Sequence, residues 1–235
     1  MIKIKSVRMR TLVSILPVTI ILLIILSVSS YFAGKSIISK EIDSKINYKM
    51  NELKLSIDNR LNSHGRIAQT LARTVEVSDT SFTNVQYENL VEKFTAINGD
   101  TLGAGIWFEP NKYKSDINFY GPYAYKDSGK VVYTEDYMKE DYNYPSKDWY
   151  KAAKETKNPV AWTAPYYDET TKLTMVTAAA PFYDKTGNFI GTTTADIDLT
   201  SLQKIINDLK LGDTGKAFLL TSDGSYIAGW MPAKL

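Results

Sequence analysis

The feature that most constrains this chain is an uncharged, largely apolar run of 22 residues near its N-terminus, from Thr11 to Phe32. A helix rises about 1.5 Å per residue, so a helix of this length reaches about 33 Å and crosses a hydrocarbon layer about 30 Å thick. A cleaved signal peptide has a shorter apolar stretch that ends in small residues of the A-x-A kind, whereas this run ends in Tyr31-Phe32-Ala33-Gly34. The run therefore predicts an uncleaved transmembrane helix.

The charges around this run predict its orientation. The first 40 residues hold six of the 28 basic residues and none of the 26 acidic ones, so the rest of the chain is mildly acidic. Four of the six precede the run, and basic flanks stay on the cytoplasmic side of a membrane. We therefore expect residues 1–10 in the cytoplasm, residues 11–32 in the cell membrane and the bulk of the chain outside. An acidic body also argues against nucleic acid as a partner, because phosphates require a basic face.

Two residue types that carry much catalytic and metal chemistry are scarce. The chain has no cysteine and a single histidine, His64. This composition excludes disulfides, thiolate metal sites and cysteine nucleophiles, and it argues against a zinc site or a histidine-based triad. With no nucleophile, oxyanion or cofactor motif, the sequence predicts neither an enzyme nor a cofactor or metal. A hydrolase that uses Asp168 and Asp196 as paired acids is a minor alternative.

A long amphipathic stalk helix is predicted to follow the membrane segment, over residues 33–80. Between Ser36 and Val77 there is no proline and one glycine, Gly65, and apolar residues recur at steps of three and four. Such a helix is about 60 Å long. Its lower half has no evident domain to pack against, so we expect a homodimer through the stalk; packing on its own domain throughout is the alternative. His64 fills one gap in the stripe as a polar interruption.

Aromatic and β-branched runs separated by turn sequences begin after residue 81. The predicted strands are Leu102–Phe108, Tyr120–Tyr125, Val131–Tyr133, Met175–Tyr183 and Phe189–Asp198. Gly129 and Gly187 complete two hairpin turns, because glycine adopts positive φ without steric cost. Hairpins around one sheet, with short helices over Val85–Ile97 and Trp149–Thr156, predict an α+β fold with a PAS-like antiparallel sheet over residues 81–200.

The remaining stretch, residues 201–235, is predicted to hold a linking helix and part of another unit. A helical pattern over Leu199–Leu211 stops at Gly212, and a further hairpin turns at Ser222-Asp223-Gly224. Two strands are not stable alone in water. They either pack on the first domain or begin a second, membrane-proximal subdomain that is incomplete. Because the sequence shows no second membrane span and no kinase or cyclase motif, we expect a fragment of a longer protein or a truncated gene product.

The stretch from Tyr142 to Asp168 is the richest in side chains that can recognise a ligand. It contains Tyr142, Tyr144, Lys147, Trp149, Tyr150, Trp162, Tyr166, Tyr167 and Asp168. Tyrosine combines a flat apolar face with a hydroxyl that can point at a ligand. Composition alone leaves open whether these rings form a site or are ordinary aromatics of a tyrosine-rich protein.

The order of these residues resembles the double Cache sensor domains of methyl-accepting chemotaxis proteins and related receptors. In the amino-acid-binding members, a Tyr is followed five residues later by Arg, then by x-Trp-Tyr, by Tyr-x-Asp and by an Asp within a strand. The matching positions here are Tyr142, Lys147, Trp149, Tyr150, Tyr166, Asp168 and Asp196. The resemblance covers about residues 35–229. It implies a membrane-distal Cache domain, a role in chemotaxis signalling and an extracytoplasmic site for a small amino acid or amine.

The resemblance also implies a role for each residue. A ligand ammonium would be held by Asp168 and Asp196, aided by the Tyr166 hydroxyl, and Trp149 offers a cation–π face worth about 0.5 to 2 kcal/mol. Lys147 and the tyrosine five residues before it would receive a carboxylate. Here the chain departs from the family, because lysine is a flexible point charge where arginine is a planar fork. If Lys147 does not engage the ligand, the site keeps its amine half alone, and an amine or polyamine becomes the expected ligand.

Other roles stay open for both aspartates and for the chain. Asp196 could bond the backbone at a helix start, although Asp198 is nearer to Thr200 and is the expected N-cap of the following helix. Asp168 could be a turn residue. The same ectodomain would serve a sensor histidine kinase or a cyclase, and a ligand-free membrane-anchored surface protein is a further alternative.

Overall fold

The computed structural model describes residues 7–78, 81–209, 214–220, 224 and 226–229. The helices are α1 (Val7–Ser78), α2 (Asn84–Thr95), α3 (Asp148–Glu155) and α4 (Leu199–Asn207). The strands are β1 (Thr101–Phe108), β2 (Tyr123–Asp127), β3 (Lys130–Thr134), β4 (Ala161–Trp162), β5 (Tyr166–Asp168), β6 (Leu173–Tyr183), β7 (Phe189–Asp198), β8 (Phe218–Leu220) and β9 (Tyr226–Gly229). Short 3₁₀ helices cover Asp136–Met138 and Tyr144–Ser146.

The chain forms two compact units, residues 1–54 and residues 55–235. α1 is long and apolar enough to cross a membrane, and none of its most apolar stretch is buried. Pro17 lies inside this helix. The predicted membrane segment and residues 33–78 of the predicted stalk fall within α1 and are helical, and residues 79 and 80 lie outside the described residues.

An antiparallel sheet organises the second unit, in the strand order β3-β2-β1-β7-β6-β4, and β5 also pairs with β6. The predicted α+β fold with a PAS-like antiparallel sheet is therefore confirmed. β2 begins at Tyr123 rather than at the predicted Tyr120, because Pro122 has no N–H to offer the ladder. The carbonyl oxygens of Tyr120 and Pro122 still accept hydrogen bonds from β1.

One face of the sheet is covered by α1 and α2. Strand residues alternate between faces, so the even-numbered residues of β1 from 104 to 108 lie on this face and the odd-numbered ones on the other. The core on the covered face includes Ile67, Ala68, Leu71, Ala72, Val75, Tyr87, Val91, Ala104, Ile106, Phe108, Ala178, Ala180, Phe182 and Ala195. The opposite face of the sheet is the one that carries the candidate site.

His64 is fully buried on the packed part of α1. Its Nδ1 lies 2.9 Å from the carbonyl oxygen of Arg60, and its Nε2 lies 3.8 Å from a carboxylate oxygen of Asp100. The predicted polar interruption of the stripe is therefore accommodated inside the fold, next to a carboxylate.

The C-terminal hairpin, β8 and β9, packs toward the first sheet. α4 starts at its predicted N-cap, Asp198, whose carboxylate accepts the N–H of Thr200 at 2.9 Å. Ile227 of β9 packs with Val176 and Ile197 of the large sheet. α4 ends four residues before the predicted end at residue 211. Residues 210–213, and residues 222 and 223 of the predicted turn, lie outside the described residues.

Candidate ligand-binding site

The face of the sheet opposite α1 and α2 carries a narrow aromatic cavity. It is lined by Trp107, Tyr123, Tyr137, Tyr142, Trp149, Tyr166, Asp168, Met175, Thr194 and Asp196. The walls are so close that the centre of a water molecule can occupy only about 10 Å³, which is room for about one water. A ligand larger than water therefore requires the walls to move apart.

A larger depression lies along α1 and α2. It is lined by Asn59, Asn62, Ser63, Arg66, Ile67, Thr70, Phe94 and Ile97. This lining has neither paired acids nor a cage of aromatic rings. The aromatic cavity is therefore the candidate site.

The cavity is built from strands and from the segment between β3 and α3. Thr194 and Asp196 of β7 both face the cavity because alternate residues of a strand share a face. The residues contributed by β1, β2, β5 and β6 are Trp107, Tyr123, Tyr166, Asp168 and Met175. The irregular segment before α3 supplies Tyr137 and Tyr142, and Trp149 follows in the first turn of α3.

Asp196 is an almost fully buried carboxylate, 3% exposed. Its Oδ2 accepts the Tyr123 hydroxyl at 2.8 Å, and its Oδ1 accepts the Thr177 hydroxyl at 2.6 Å. Burial raises the pKa of Asp196 to about 7; the two hydroxyl donors oppose this shift, and the negative charge of Asp168 adds to it. Asp196 thus lacks a positive partner among the described lining residues.

Asp168 is also buried, and it orders the turn after β5. Its Oδ1 accepts the Tyr137 hydroxyl at 2.9 Å, the backbone N–H groups of Thr170 and Thr171, and the Thr171 hydroxyl. Asp168 is therefore a turn residue and a cavity residue at once. The two roles that the sequence left as alternatives coexist here.

The aromatic rings of the cavity contact one another in tilted and edge-to-face arrangements. The ring centroids of Trp107 and Trp149 are 4.8 Å apart, and those of Tyr137 and Tyr142 are 4.7 Å apart. The indole N–H of Trp107 donates to the Thr194 hydroxyl at 2.9 Å. These contacts fix the ring orientations. Aromatic faces next to two carboxylates form an environment that attracts a cation.

Five of the seven predicted residues line the cavity: Tyr142, Trp149, Tyr166, Asp168 and Asp196. Lys147 does not line it, because its Nζ lies over the Tyr142 ring, 4.4 Å from the centroid. Tyr150 is buried outside the lining, and its hydroxyl donates to Glu109 at 2.8 Å. The structure thus brings together the predicted ammonium partners and leaves Lys147 outside the cavity.

The remaining lining residues were not singled out from the sequence. They are Trp107, Tyr123, Tyr137, Met175 and Thr194. Strand alternation could have found Thr194, which lies two residues before Asp196, and Trp107, which shares its face of β1 with Gly103 and Gly105. Tyr137 lies in a segment without periodicity, so the sequence carries no comparable signal for it.

A long N-terminal apolar helix and an antiparallel sheet with an aromatic, acidic cavity define the class of membrane-receptor sensor domains of the Cache type. The chain belongs to the methyl-accepting chemotaxis protein-like first PDC sensor domain family, whose family model matches residues 87–204. This range contains all seven predicted site residues. The resemblance inferred from the sequence is therefore confirmed.

Individual relatives extend the match beyond that range. The chain is 27% identical over 227 residues to the methyl-accepting chemotaxis protein McpC of Bacillus subtilis, covering 95% of this chain and 32% of that protein. It is 35% identical over 131 residues to McpA of Pseudomonas putida, covering 55% and 19%. The solved ligand-binding domain of Mlp24 with asparagine is 27% identical, with a TM-score of 0.57, covering 80% of this chain and 72% of that one. The chain thus spans about a third or less of the length of McpC and of McpA.

Proposed function

We propose that this chain is the extracytoplasmic ligand-sensing part of a transmembrane chemoreceptor and that it captures a small amino acid or amine. The observation that carries the proposal is the buried pair of Asp168 and Asp196 in a cavity walled by aromatic rings. A buried carboxylate without a cationic partner is costly. A ligand ammonium is a group that relieves this cost.

The relatives support this reading. McpC and McpA are methyl-accepting chemotaxis proteins by name, and the Mlp24 domain was solved with asparagine. Asparagine carries an ammonium of the kind that the cavity of this chain suits. The proposal gives the two aspartates a role in binding and places no catalytic residue in the chain.

The proposed binding residues are the predicted residues that line the cavity, namely Tyr142, Trp149, Tyr166, Asp168 and Asp196. Asp196 and Asp168 receive the ammonium, and Trp149 covers it with a ring face. The other two predicted residues, Lys147 and Tyr150, lie outside the lining: Lys147 lies over the Tyr142 ring, and the Tyr150 hydroxyl donates to Glu109.

The proposal keeps the division of the chain that the sequence predicts. Residues 1–10 are cytoplasmic, 11–32 span the membrane, 33–80 form the stalk, 81–200 form the membrane-distal binding domain, and 201–235 form a linking helix and part of a second subdomain. We further propose that the stalk pairs with a second copy. The support is that Ile42, Ile46 and Met50 of α1 are 40% to 50% exposed in the single chain. Ligand capture would then shift the equilibrium between arrangements of the paired stalks.

Calorimetry on the full chain in detergent tests the proposal, after a thermal-shift screen of amino acids and amines has found a ligand. Asp196→Ala should weaken that ligand by about thirtyfold or more, or about 2 kcal/mol, because the ammonium loses its buried partner. Asp141→Ala is the matched control, since Asp141 is an exposed carboxylate near the site. Equal affinities for Asp196→Ala and Asp141→Ala would refute the assignment.

A further inference from the structure

The direction of each hydrogen bond in the cavity bears on which ligand it accepts. A free amino acid presents a carboxylate as well as an ammonium. The carboxylate needs donors, and preferably a cation, whereas the ammonium needs acceptors. A site for amino acids must therefore offer both kinds of group.

The hydroxyl groups around Asp196 already donate hydrogen bonds within the protein. Tyr123 and Thr177 both donate to its carboxylate. Because the one proton of the Thr177 hydroxyl goes to Asp196, the Tyr166 hydroxyl, 2.8 Å away, must donate to Thr177. Burial raises the pKa of Tyr123 and Tyr166, so both keep their protons at neutral pH. These hydroxyls can therefore accept hydrogen bonds from a ligand but cannot donate to it.

The donors around Asp168 are committed in the same way. The Tyr137 hydroxyl, two backbone N–H groups and the Thr171 hydroxyl all go to its Oδ1. None of the described residues donates a hydrogen bond to its Oδ2, which leaves that oxygen as a further acceptor. Both aspartates therefore present acceptors to the cavity.

Few donors remain for a ligand carboxylate. The indole N–H of Trp107 goes to Thr194. The described lining donors that remain are the hydroxyls of Thr194 and Tyr142 and the indole N–H of Trp149, and all three are neutral. Lys147, the cation predicted for this purpose, lies over Tyr142 outside the lining. A ligand carboxylate would thus face the carboxyl groups of Asp168 and Asp196 with no cation among the described lining residues.

We propose that the cavity selects a small primary amine that has no carboxylate. This inference rests on the proposed function, since it names the ligand class of that same site. The ammonium is held by Asp196 and Asp168, and the apolar body of the amine lies against Trp107, Trp149 and Met175. The parent amino acid is excluded because its carboxylate would lie next to the two aspartate carboxyl groups without a cationic partner.

Matched pairs of ligands that differ only in the carboxylate test this directly. The pairs are leucine with 3-methylbutylamine, phenylalanine with 2-phenylethylamine, and alanine with ethylamine, titrated calorimetrically into the full chain in detergent. In at least one pair the amine should bind about thirtyfold or more tightly than its amino acid. The methyl ester of that amino acid, which has lost the negative charge, should recover most of the affinity.

Variants separate the two readings of the site. Asp196→Asn should abolish amine binding, whereas Asp141→Asn should change it less than about twofold, because Asp141 is exposed outside the cavity. Lys147→Ala should also leave amine affinity nearly unchanged; a site for amino acids predicts a loss.

Each outcome has a distinct meaning. An amino acid that binds as tightly as its amine, and that loses affinity in Lys147→Ala, overturns the amine inference and leaves the proposed function standing. No binding of either member at millimolar concentration in any pair overturns the amine inference as well. If, in addition, no other amino acid or amine in the screen binds, the proposed function fails too.

Discussion

Asp196 couples folding stability to pH. Burial raises its pKa from 3.8 to about 7. A carboxyl group whose pKa is higher in the folded state binds its proton more tightly there, so it favours folding most below about pH 4, and this contribution is lost as the pH rises to about 7. Its size is at most about 4 kcal/mol, since one pKa unit corresponds to about 1.4 kcal/mol.

The first prediction concerns this dependence. Asp196→Asn mimics the protonated carboxyl, so the melting temperature of the variant relative to the wild type should rise from pH 4 to pH 7. The measurement is thermal unfolding of the full chain in detergent at a series of pH values without ligand. Asp141→Asn should track the wild type throughout. Parallel curves of melting temperature against pH for Asp196→Asn and wild type would show that burial does not raise the pKa of Asp196.

At the level of single residues, the sequence predicts those cavity residues whose spacing along the chain follows the family pattern. Asp168 and Asp196 were found because their spacing from an aromatic pair matches a family pattern, and both line the cavity. Lys147 follows the same pattern but lies outside, because a flexible lysine stem reaches the face of Tyr142. Tyr137 was missed because its position depends on a hydrogen bond to Asp168, which lies 31 residues later.

At the level of elements, β1 is the strand that shapes the cavity. The Trp107 ring lies over Gly105, so a Cβ at Gly105 would be 2.6 Å from ring atoms. The ring cannot easily shift, because it packs on Trp149 and its N–H is bonded to Thr194. Glycine at this position is therefore required by the approach of the ring rather than by backbone conformation.

The second prediction follows from this contact. Gly105→Ala should destabilise the fold by about 1 to 3 kcal/mol through overpacking and should change the tryptophan fluorescence, because the Trp107 ring is displaced. The measurement is chemical denaturation followed by fluorescence. Gly99→Ala is the control, since a Cβ there meets nothing within 4 Å. Indistinguishable stabilities of the two variants would mean that the ring moves freely.

The elements themselves were largely predictable, and the exceptions have physical causes. β7 matches its predicted bounds, because an Asp-Lys-Thr-Gly turn precedes an alternating run. β4 and β5 are two and three residues long, too short for a periodicity to be visible. They exist as strands because β6 offers them partners, which is a non-local effect.

At the level of the whole chain, the candidate membrane helix and the sensor domain belong to separate stretches. The uncharged apolar run, residues 11–32, lies in the unit formed by residues 1–54, and the family match begins at residue 87. The side chains of α1 before residue 50 remain exposed in the single chain, including Ile42 and Ile46. These exposed apolar side chains beyond the predicted membrane segment are the basis of the proposed pairing of the stalk with a second copy.

The last prediction tests orientation and pairing together. The chain has no cysteine, so a single introduced cysteine is its only site for thiol labelling and disulfide cross-linking. Ile46→Cys and Tyr48→Cys lie on nearly opposite faces of α1, since two residues span about 200° of a helix. A membrane-impermeant maleimide applied to intact cells should label both, and mild oxidation should give disulfide-linked dimers from Ile46→Cys alone. Labelling only after permeabilisation contradicts the orientation, and equal cross-linking of both variants contradicts pairing through the apolar stripe.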